Sequence, residues 1–325
     1  MEKKETVIIP EISEPVEVEN LDVVKTKVNE AREKFLSVHK NVMKKNRIIS
    51  TIYFGITIGL VLLGTFVEKL MGLSFGVICA GLIFVWIYTR KQRKEMDAGT
   101  QGYLRDYSLY TNSYMYGKED VEDVKIAYSQ KVEKDLINKI NLSNEEYIIN
   151  SRDVVTGKMY SHNFLTCDVS INSGAAKRPR EQKILFVGKL FSLNYKFVSE
   201  GRTLLYLKGC GDATPTKLED VNEVRVTSLK KEWQVYTSCK DYEKIFNSSL
   251  IKALNKLECN ETLNDIVISI ADGTVLVGYS YSDEAMVIPM NTTYETKQFE
   301  EKVDNYKVFK DINKALIDNN NFIKE

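Results

Sequence analysis

Two long apolar runs near the N-terminus constrain this chain more than any other feature of its sequence. Residues 48–66 contain only five polar side chains, and residues 73–89 form a second run after the short segment VEKLMG. As helices, the runs would be about 28 Å and about 25 Å long, against a bilayer hydrocarbon core of roughly 30 Å. Mild thinning of the bilayer accommodates the shorter run. The pattern predicts a two-helix transmembrane hairpin at 48–89, made of helices 48–66 and 73–89.

The charged residues around these runs predict their orientation. Four cations precede the first run and four follow the second, whereas only Glu68 and Lys69 lie between the runs. Positive residues concentrate on the cytoplasmic side of membrane proteins, so both termini and the folded domain are expected to be cytoplasmic, at a bacterial inner or plasma membrane. The alternative is a buried helical hairpin in a protein without a membrane segment, which the length and lack of charge of the runs disfavour. The flanking cations are Lys40, Lys44, Lys45, Arg47, Arg90, Lys91, Arg93 and Lys94.

The composition excludes several classes of protein. The chain of 325 residues has a formal net charge of +0, so it lacks the basic excess of a dedicated nucleic-acid binder. Its five cysteines are an odd number without a C-x-x-C spacing, which indicates free thiols in a reducing compartment and no disulfide framework or zinc site. No P-loop, dinucleotide-binding glycine motif, H-E-x-x-H or EF-hand pattern occurs, so no cofactor or metal is expected.

Hydrophobic periodicity divides the chain into segments. We expect a disordered tail at 1–20, an amphipathic heptad helix at 21–47, the hairpin at 48–89, returning stalk helices at 90–141 and a folded domain at 142–325. The apolar positions of the heptad helix recur at steps of three and four, as in a coiled coil. They predict packing against a second copy of the chain or against the returning helix. These positions are Leu21, Val24, Val28, Ala31, Phe35, Val38 and Val42.

The returning segment has an aromatic pattern of its own. Its tyrosines recur at steps of three and four, which favours a packed aromatic seam against the entering helix over a row of ligand-stacking rings. They are Tyr103, Tyr107, Tyr110 and Tyr114. A further amphipathic helix is expected from residue 117 to about residue 140.

The period changes to that of strands from residue 147 onward. Strands are expected at residues 147–150, 159–171, 183–197, 203–207, 233–236 and 285–289, with turns at 153–157 and 172–182. The clearest hairpin is two alternating apolar runs around the turn Asp272-Gly273. Ser238 and Thr292 are expected to cap two later helices. Strands grouped first and helices placed late predict an α+β domain with a largely antiparallel sheet.

Four segments carry a resemblance to one bacterial family. EYIINSRDVVTGKMYSHNF, KILFVGKLFSLNYKF, EWQVYTSCKDYEKIF and DIVISIADGTVLVGY follow the apolar hairpin in this order. The order resembles that of the bacterial domain-of-unknown-function family 3137, over most of the chain from the hairpin onward. The resemblance implies a membrane protein with a cytoplasmic α+β domain. It implies no activity, because motifs such as Asp153…Gly157 and Val235-Tyr236-Thr237-Ser238 describe strands and turns and contain no catalytic signature.

Few residues suggest covalent chemistry. His162 and Cys167 are close in sequence and would form a nucleophile pair only if they shared a strand face, whereas a packed thiol and a surface imidazole are the common case. Cys210 lies between two glycines, and a tight turn that contains a cysteine explains this motif more simply than a reactive thiolate does.

A basic segment is the candidate binding site. Lys177, Arg178 and Arg180 lie in an expected loop, where they would contact an anion or a lipid head group. A solvated loop is the alternative, because loops are ordinarily polar.

These observations lead to three functional hypotheses. The leading one is a non-catalytic, membrane-anchored interaction or sensory module that binds a protein or a small ligand at the cytoplasmic face. Its expected partners are the lipid bilayer and a protein or second copy bound through the heptad helix, with no nucleic acid. The alternatives are a membrane-tethered enzyme with an unrecognised site and an oligomeric structural scaffold.

Overall fold

The fold is given by a computed structural model that describes most of the chain. The described residues are 12–66, 71–117, 121–140, 147–173, 183–195, 201–209, 220–271, 273–282 and 286–319. They form two compact units. The first contains the described residues of 1–25, 108–289 and 295–325, and the second contains those of 26–107 and 290–294.

Two helices of 46 residues each, α1 (Leu21–Phe66) and α2 (Met71–Tyr116), supply most of the second unit. They run antiparallel there, since Phe35 stacks on Tyr103 with ring centroids 5.7 Å apart and the Tyr53 hydroxyl donates to the Ile78 carbonyl at 3.2 Å. Of the expected aromatic seam, Tyr103 packs on α1, whereas Tyr107 contacts the Tyr294 ring and Tyr114 contacts the Phe299 ring. Phe35, a heptad position, has its partner within the same chain.

The structure corrects the predicted transmembrane hairpin. Among the residues that the structure describes, no helix is long and apolar enough to cross a membrane. Residues 67–70 lie outside the described residues. The predictions of an integral membrane protein, a membrane location and a cytoplasmic orientation are therefore wrong.

The described parts of α1 and α2 nevertheless expose large apolar side chains. Phe54 and Trp86 are 63% and 62% exposed, and other exposed residues of these helices include Ile52, Ile56 and Phe84. Contiguous apolar surface of this kind often marks an interaction site. The expected partners of the chain stay predictions.

Within the described residues, ten antiparallel strands form one sheet in the order β1-β2-β3-β4-β5-β10-β9-β6-β8-β7. The expected antiparallel sheet is present, with several strands longer than their sequence pattern indicated. The strands are β1 (Ile12–Ser13), β2 (Glu122–Ala127), β3 (Tyr147–Met159), β4 (His162–Ser173), β5 (Ile184–Asn194), β6 (Thr203–Leu207), β7 (Asn222–Val224), β8 (Trp233–Thr237), β9 (Leu263–Ala271) and β10 (Thr274–Tyr281). The described residues also form the helices α3 (Lys134–Asn138), α4 (Ser248–Leu254) and α5 (Lys297–Ile317).

Alternation along the strands gives the sheet two covered faces. Cys167 and Val169 of β4 share one hydrophobic cluster with Ile137 of α3. Phe191 of β5 points to the opposite face, where it stacks on Phe309 of α5 with ring centroids 5.1 Å apart. Because successive side chains of a strand point to opposite faces, Asp168 lies on the face opposite Cys167.

The expected helix from residue 117 to 140 is wrong. Its first half forms β2, in which Ile126 pairs with Val155 of β3, and α3 spans only Lys134–Asn138. Val124 and Ile126 are buried while Lys125 between them is exposed, which is the period of a strand. Spacings of three and four also occur among these residues, so the sequence pattern alone was ambiguous.

The expected turn at 153–157 is also wrong, because β3 continues through it and turns at Tyr160 and Ser161. Both residues have positive φ, 51° and 64°, as the two central residues of a tight hairpin turn require. Gly157 instead allows β3 to pair closely with β2, because a Cβ added at this position would lie only 2.8 Å from the Glu122 carbonyl oxygen.

Later boundaries differ from their sequence signals as well. Asn247 caps α4 by accepting from the Leu250 amide, so Ser238 does not cap it, and α5 begins at Lys297 rather than next to Thr292. The expected strand at 285–289 contains no strand among its described residues, 286–289. The hairpin β9–β10 is present, with Asp272 of its turn outside the described residues.

Candidate functional site

Strand register places three charged side chains in one row across the sheet of the first unit. Arg152 of β3 is paired with Asp168 of β4, and Asp168 is paired with Lys189 of β5. Directly opposed side chains in antiparallel strands lie about 4.5–5.5 Å apart at their Cβ atoms, so the three charges are neighbours. The centres of β4 and β5 are otherwise largely apolar. The row therefore places charged side chains within a mainly hydrophobic part of the sheet.

The central contact of this row is a buried ion pair. Lys189 Nζ donates to Asp168 Oδ1 at 2.8 Å, and the two side chains are only 5% and 9% exposed. Arg152 Nε lies 3.8 Å from Asp168 Oδ2. Burial favours the neutral carboxyl, but attraction to Lys189, Lys302 and Arg152 outweighs it and lowers the pKa of Asp168. The same pairing raises the pKa of Lys189 against the effect of burial.

A second buried carboxyl, that of Asp153, has a raised pKa, whereas the pKa of Asp168 is lowered. Burial, and then repulsion by Asp168, raises its pKa to about 6, although a hydrogen bond from Ser108 acts in the other direction. Its φ of 53° lies in the left-handed region, where the register of β3 with β4 is interrupted between Arg152 and Val155. Among the described residues, no hydrogen-bond partner lies within reach of Asp153 Oδ1. Asp153 is thus a carboxyl that the fold keeps buried at some energetic cost.

Helix α5 adds a third cation to the cluster. The Lys302 side chain is buried, with Nζ 5.7 Å from the centre of the Tyr281 ring. Burial lowers the pKa of Lys302, which attraction to Asp168 partly offsets. We call the five side chains Arg152, Asp153, Asp168, Lys189 and Lys302 the charge cluster. In the described part of the chain it contains three cations and two carboxyl groups.

A pocket of about 360 Å³ opens beside the charge cluster. Arg152 and Asp168 line it, as do Ser170 of β4 and the segment with Met286 and Val287. Arg152 Nη2 donates to the Met286 carbonyl at 2.8 Å, so the guanidinium joins the pocket to the buried charges. The Arg152 side chain is 36% exposed, which makes it the most accessible of the cations in the charge cluster.

The residues that the sequence suggested for covalent chemistry are not brought together. The His162 ring lies 4.9 Å from the Tyr195 ring, and Cys167 is buried five positions along β4 on the other face. Burial raises the pKa of the Cys167 thiol to about 12. Cys210 lies outside the described residues, as do Lys177, Arg178 and Arg180 of the candidate anion or lipid contact. The described residues contain no group of histidine, cysteine and carboxylate side chains that could hold a metal.

The charge cluster was missed in the sequence, although part of its signal is visible there. LTCDVSI and ILFVGKLF each hold one charged residue inside a run that otherwise reads as a buried strand. A charge in such a position is expected to have a partner, because burying it alone is very costly. The local sequence pattern does not show which strand register pairs Asp168 with Lys189. It also does not show that Lys302 lies near them.

Comparison with known proteins adds little to this site. No protein-family model matches the sequence, and no curated protein matches it. The solved structure of the mycobacterial trehalose monomycolate transport factor A, TtfA, is similar over 58% of this chain and 88% of that chain, at 12% identity and a TM-score of 0.32. A similarity at that score carries no argument about fold or function. The resemblance to the domain-of-unknown-function family 3137 stays a prediction.

Proposed function

We propose that the unit with the sheet is a non-catalytic binding module that takes a small anionic ligand in the pocket beside Arg152. The observation that carries the proposal is the position of Arg152 at the pocket. Its side chain is 36% exposed and lines the pocket, whereas Lys189 and Lys302 are buried. An anion in the pocket would contact this guanidinium.

The energetic argument begins with the ion pair. Lys189 and Asp168 neutralise one another at 2.8 Å, whereas Arg152 Nε lies 3.8 Å from the same carboxylate and the Arg152 side chain reaches the pocket. An anion in the pocket would therefore meet the guanidinium of Arg152. A guanidinium suits this task, because its planar N–H groups match the geometry of a carboxylate or a phosphate.

Two features favour binding over catalysis. The Cys167 thiol stays protonated at neutral pH, with its pKa raised to about 12 by burial, so it is a poor nucleophile. His162 is separated from it along β4 and lies beside Tyr195. In the pocket, the Arg152 guanidinium is accessible, whereas the Asp168 carboxylate is already paired with Lys189. This arrangement suits the binding of a charged ligand.

The test is a titration of the full chain with small anions at pH 7.5 and constant ionic strength. Sodium phosphate and sodium acetate replace sodium chloride, and binding is measured by calorimetry and by the unfolding temperature. A saturable rise in unfolding temperature is expected, because a ligand that binds only the folded state stabilises it by about 2.7 kcal/mol at a concentration of 100 Kd. If neither anion changes the unfolding temperature or releases heat, the proposed function is wrong.

Two substitutions of Arg152 and one control substitution locate the effect. Arg152→Gln should abolish the anion response, whereas the same change at Arg225, an exposed arginine of the same unit, should leave it intact. Arg152→Lys retains the charge without the planar fork and should weaken binding about tenfold or more while keeping the fold. Equal responses in the wild type and both Arg152 variants would place the anion elsewhere and refute the assignment.

A further inference from the structure

We propose that the second unit binds a single-chain anionic amphiphile, such as a fatty acid, in a groove between α1 and α2. The alkyl chain lies in the groove, and the carboxylate lies at Lys45 and Lys91. The groove and both lysines belong to the second unit, whereas Arg152 and its pocket belong to the first, so this site is separate from the proposed function. Three observations support it: the apolar lining of the groove, its length and the lysines at one end.

The groove has a volume of about 420 Å³ and an almost entirely apolar lining. Ile52 and Ile56 line it from α1, and Ala80 and Phe84 line it from α2. Ile52, Ile56 and Phe84 are 56%, 53% and 59% exposed, so the groove is open to a ligand. Such a groove suits an alkyl chain, because each methylene that is buried strengthens binding by up to about fourfold.

A close contact between Tyr53 of α1 and Gly81 of α2 shapes the groove, which both residues line. A Cβ added at Gly81 would overlap Tyr53 Cε2, so the Tyr53 ring lies directly against the α2 backbone. The Tyr53 hydroxyl donates to the Ile78 carbonyl at 3.2 Å, which fixes the ring. Because Gly81 has no side chain and Ala80 has a short one, α2 leaves open the space that the ligand fills.

The length of the groove indicates a long, narrow ligand. Its lining residues on α1 extend from Ile49 to Leu60, about 16 Å along the helix axis. An extended chain of tetrahedral atoms advances about 1.2 Å per bond, as the three backbone bonds of an extended peptide residue do. A chain of about 12 to 14 carbon atoms therefore spans the groove. A short acid would leave much of the groove unfilled.

Two exposed lysines continue the rows of groove-lining residues at one end of the groove. Lys45 precedes Ile52 by seven residues, a spacing that places both on one face of α1. Lys91 follows Phe84 by seven residues on α2. Because α1 and α2 run antiparallel, both lysines lie at the same end of the groove. Glu95 lies a further turn beyond Lys91, away from the groove, so an anionic head group at this end meets the two ammonium groups first.

The two apolar runs themselves carry no charge. Residues 48–66 and 71–89 contain no Asp, Glu, Lys or Arg, so the lysine end alone orients a charged ligand in the groove. A second copy of the chain that packed through these runs would cover the groove but would bring no negative charge to Lys45 and Lys91. An anionic amphiphile complements both the groove and the lysines, which is the reason for assigning it to this site.

The test is calorimetry of the full chain with octanoate, decanoate and dodecanoate at pH 7.5, each below its critical micelle concentration. One ligand should bind per chain, and affinity should rise about two- to fourfold for each added methylene. Decyltrimethylammonium has a chain of the same length as decanoate but a cationic head group. It should bind about tenfold more weakly than decanoate, because exposed ion pairs with two lysines are replaced by repulsion.

Two pairs of variants locate the ligand, and circular dichroism checks that each variant is folded. Ile56→Ser should lower the affinity for dodecanoate about fivefold, because the alkyl chain loses an apolar wall. Ile83→Ser, at an isoleucine that is 60% exposed and does not line the groove, should leave the affinity unchanged. Lys45→Gln combined with Lys91→Gln should remove most of the preference for decanoate over decyltrimethylammonium. Lys40→Gln, at an exposed lysine on another face of α1, should retain this preference.

Three other outcomes would overturn the proposal. Many dodecanoate molecules per chain, or equal affinities in Ile56→Ser and Ile83→Ser, would mean general adsorption on apolar surface. A dimer in sedimentation that does not take up dodecanoate and that dissociates in Ile56→Ser would assign the groove to a second copy. Binding to vesicles of neutral phosphatidylcholine without binding of monomeric dodecanoate would assign it to a lipid surface.

Discussion

Replacing Asp153 by Asn should stabilise the protein, and by an amount that depends on pH. Asp153 is buried, it has a raised pKa of about 6, and its φ is 53°. Asparagine tolerates the left-handed region about as well as aspartate does, so the backbone is not strained by the change. The substitution removes a carboxyl group that must ionise in the interior, next to Asp168, and keeps a side chain of the same shape.

The magnitude follows from the difference in pKa between the folded and unfolded states. The folded pKa of about 6 lies about two units above the ordinary value of 3.8, and each unit corresponds to about 1.4 kcal/mol. Below about pH 4 both states hold the proton and the carboxyl does not penalise folding. As the pH rises from about 4 to about 6, the unfolded state loses its proton first, so the wild type loses up to about 3 kcal/mol of stability. The Asn variant escapes this loss.

The assay is urea-induced unfolding of both proteins between pH 4 and pH 8. The difference in unfolding free energy, variant minus wild type, should be only about 0.5 kcal/mol at pH 4 and should rise to between about 1 and 3 kcal/mol at pH 7. The charged and titratable groups around Asp153 include Arg152, Asp168, Lys189, Lys302, Tyr128 and Cys167, and all of them are retained in the variant, so their own titrations largely cancel.

A matched control exists at Asp123. Its φ is also 53°, but its carboxylate is exposed and accepts from Lys158 Nζ at 2.8 Å, a hydrogen bond that lowers its pKa. Asp123→Asn should therefore give no stabilisation at neutral pH. A difference at Asp153 that is flat across pH 4 to 8, or a variant less stable than the wild type at pH 8, would show that the Asp153 carboxylate is not destabilising and would refute the reasoning.

Three further predictions follow from the same contacts. Anion affinity should increase as the pH falls through about 6, because protonation of Asp153 leaves more positive charge in the cluster, and calorimetry should show no such step in Asp153→Asn. Phe309→Ala should cost about 3–5 kcal/mol in urea unfolding, because the ring is fully buried against Phe191. The Cys167 thiol should react with maleimide only after unfolding, whereas the partly exposed Cys239 should react in the native protein, as mass spectrometry of labelled peptides would show.

The sheet was predictable where one face of a strand dominates its sequence. Residues 203–207 were expected as a strand and form β6, and the β9–β10 hairpin follows from alternating apolar residues around a turn. Prediction failed where two periods fit the same residues, as at 117–140, and where a glycine is needed for close strand pairing rather than for a turn, as at Gly157. Both errors have one cause: the deciding partner, in each case a neighbouring strand, is distant from the local pattern.

The charge cluster was harder to predict because it is built from long-range register. Asp168 and Lys189 are 21 residues apart in the chain and meet only through the pairing of β4 with β5. Lys302 reaches the same place from a helix at the other end of the first unit's sequence. A lone charge in an apolar strand predicts that a partner exists, but only the register identifies it.

The composition of the charge cluster separates a structural role from a functional one. A buried ion pair such as Lys189–Asp168 is weak evidence of stability, since apolar residues of similar volume often serve a fold equally well. Within such a pair, each charge nevertheless neutralises the other. Arg152 and Lys302 also attract the Asp168 carboxylate, and Asp153 is held partly against its own ionisation. Arg152 differs from the two lysines because its side chain is partly exposed and lines an open pocket, which is the physical reason for assigning a ligand to that side of the charge cluster.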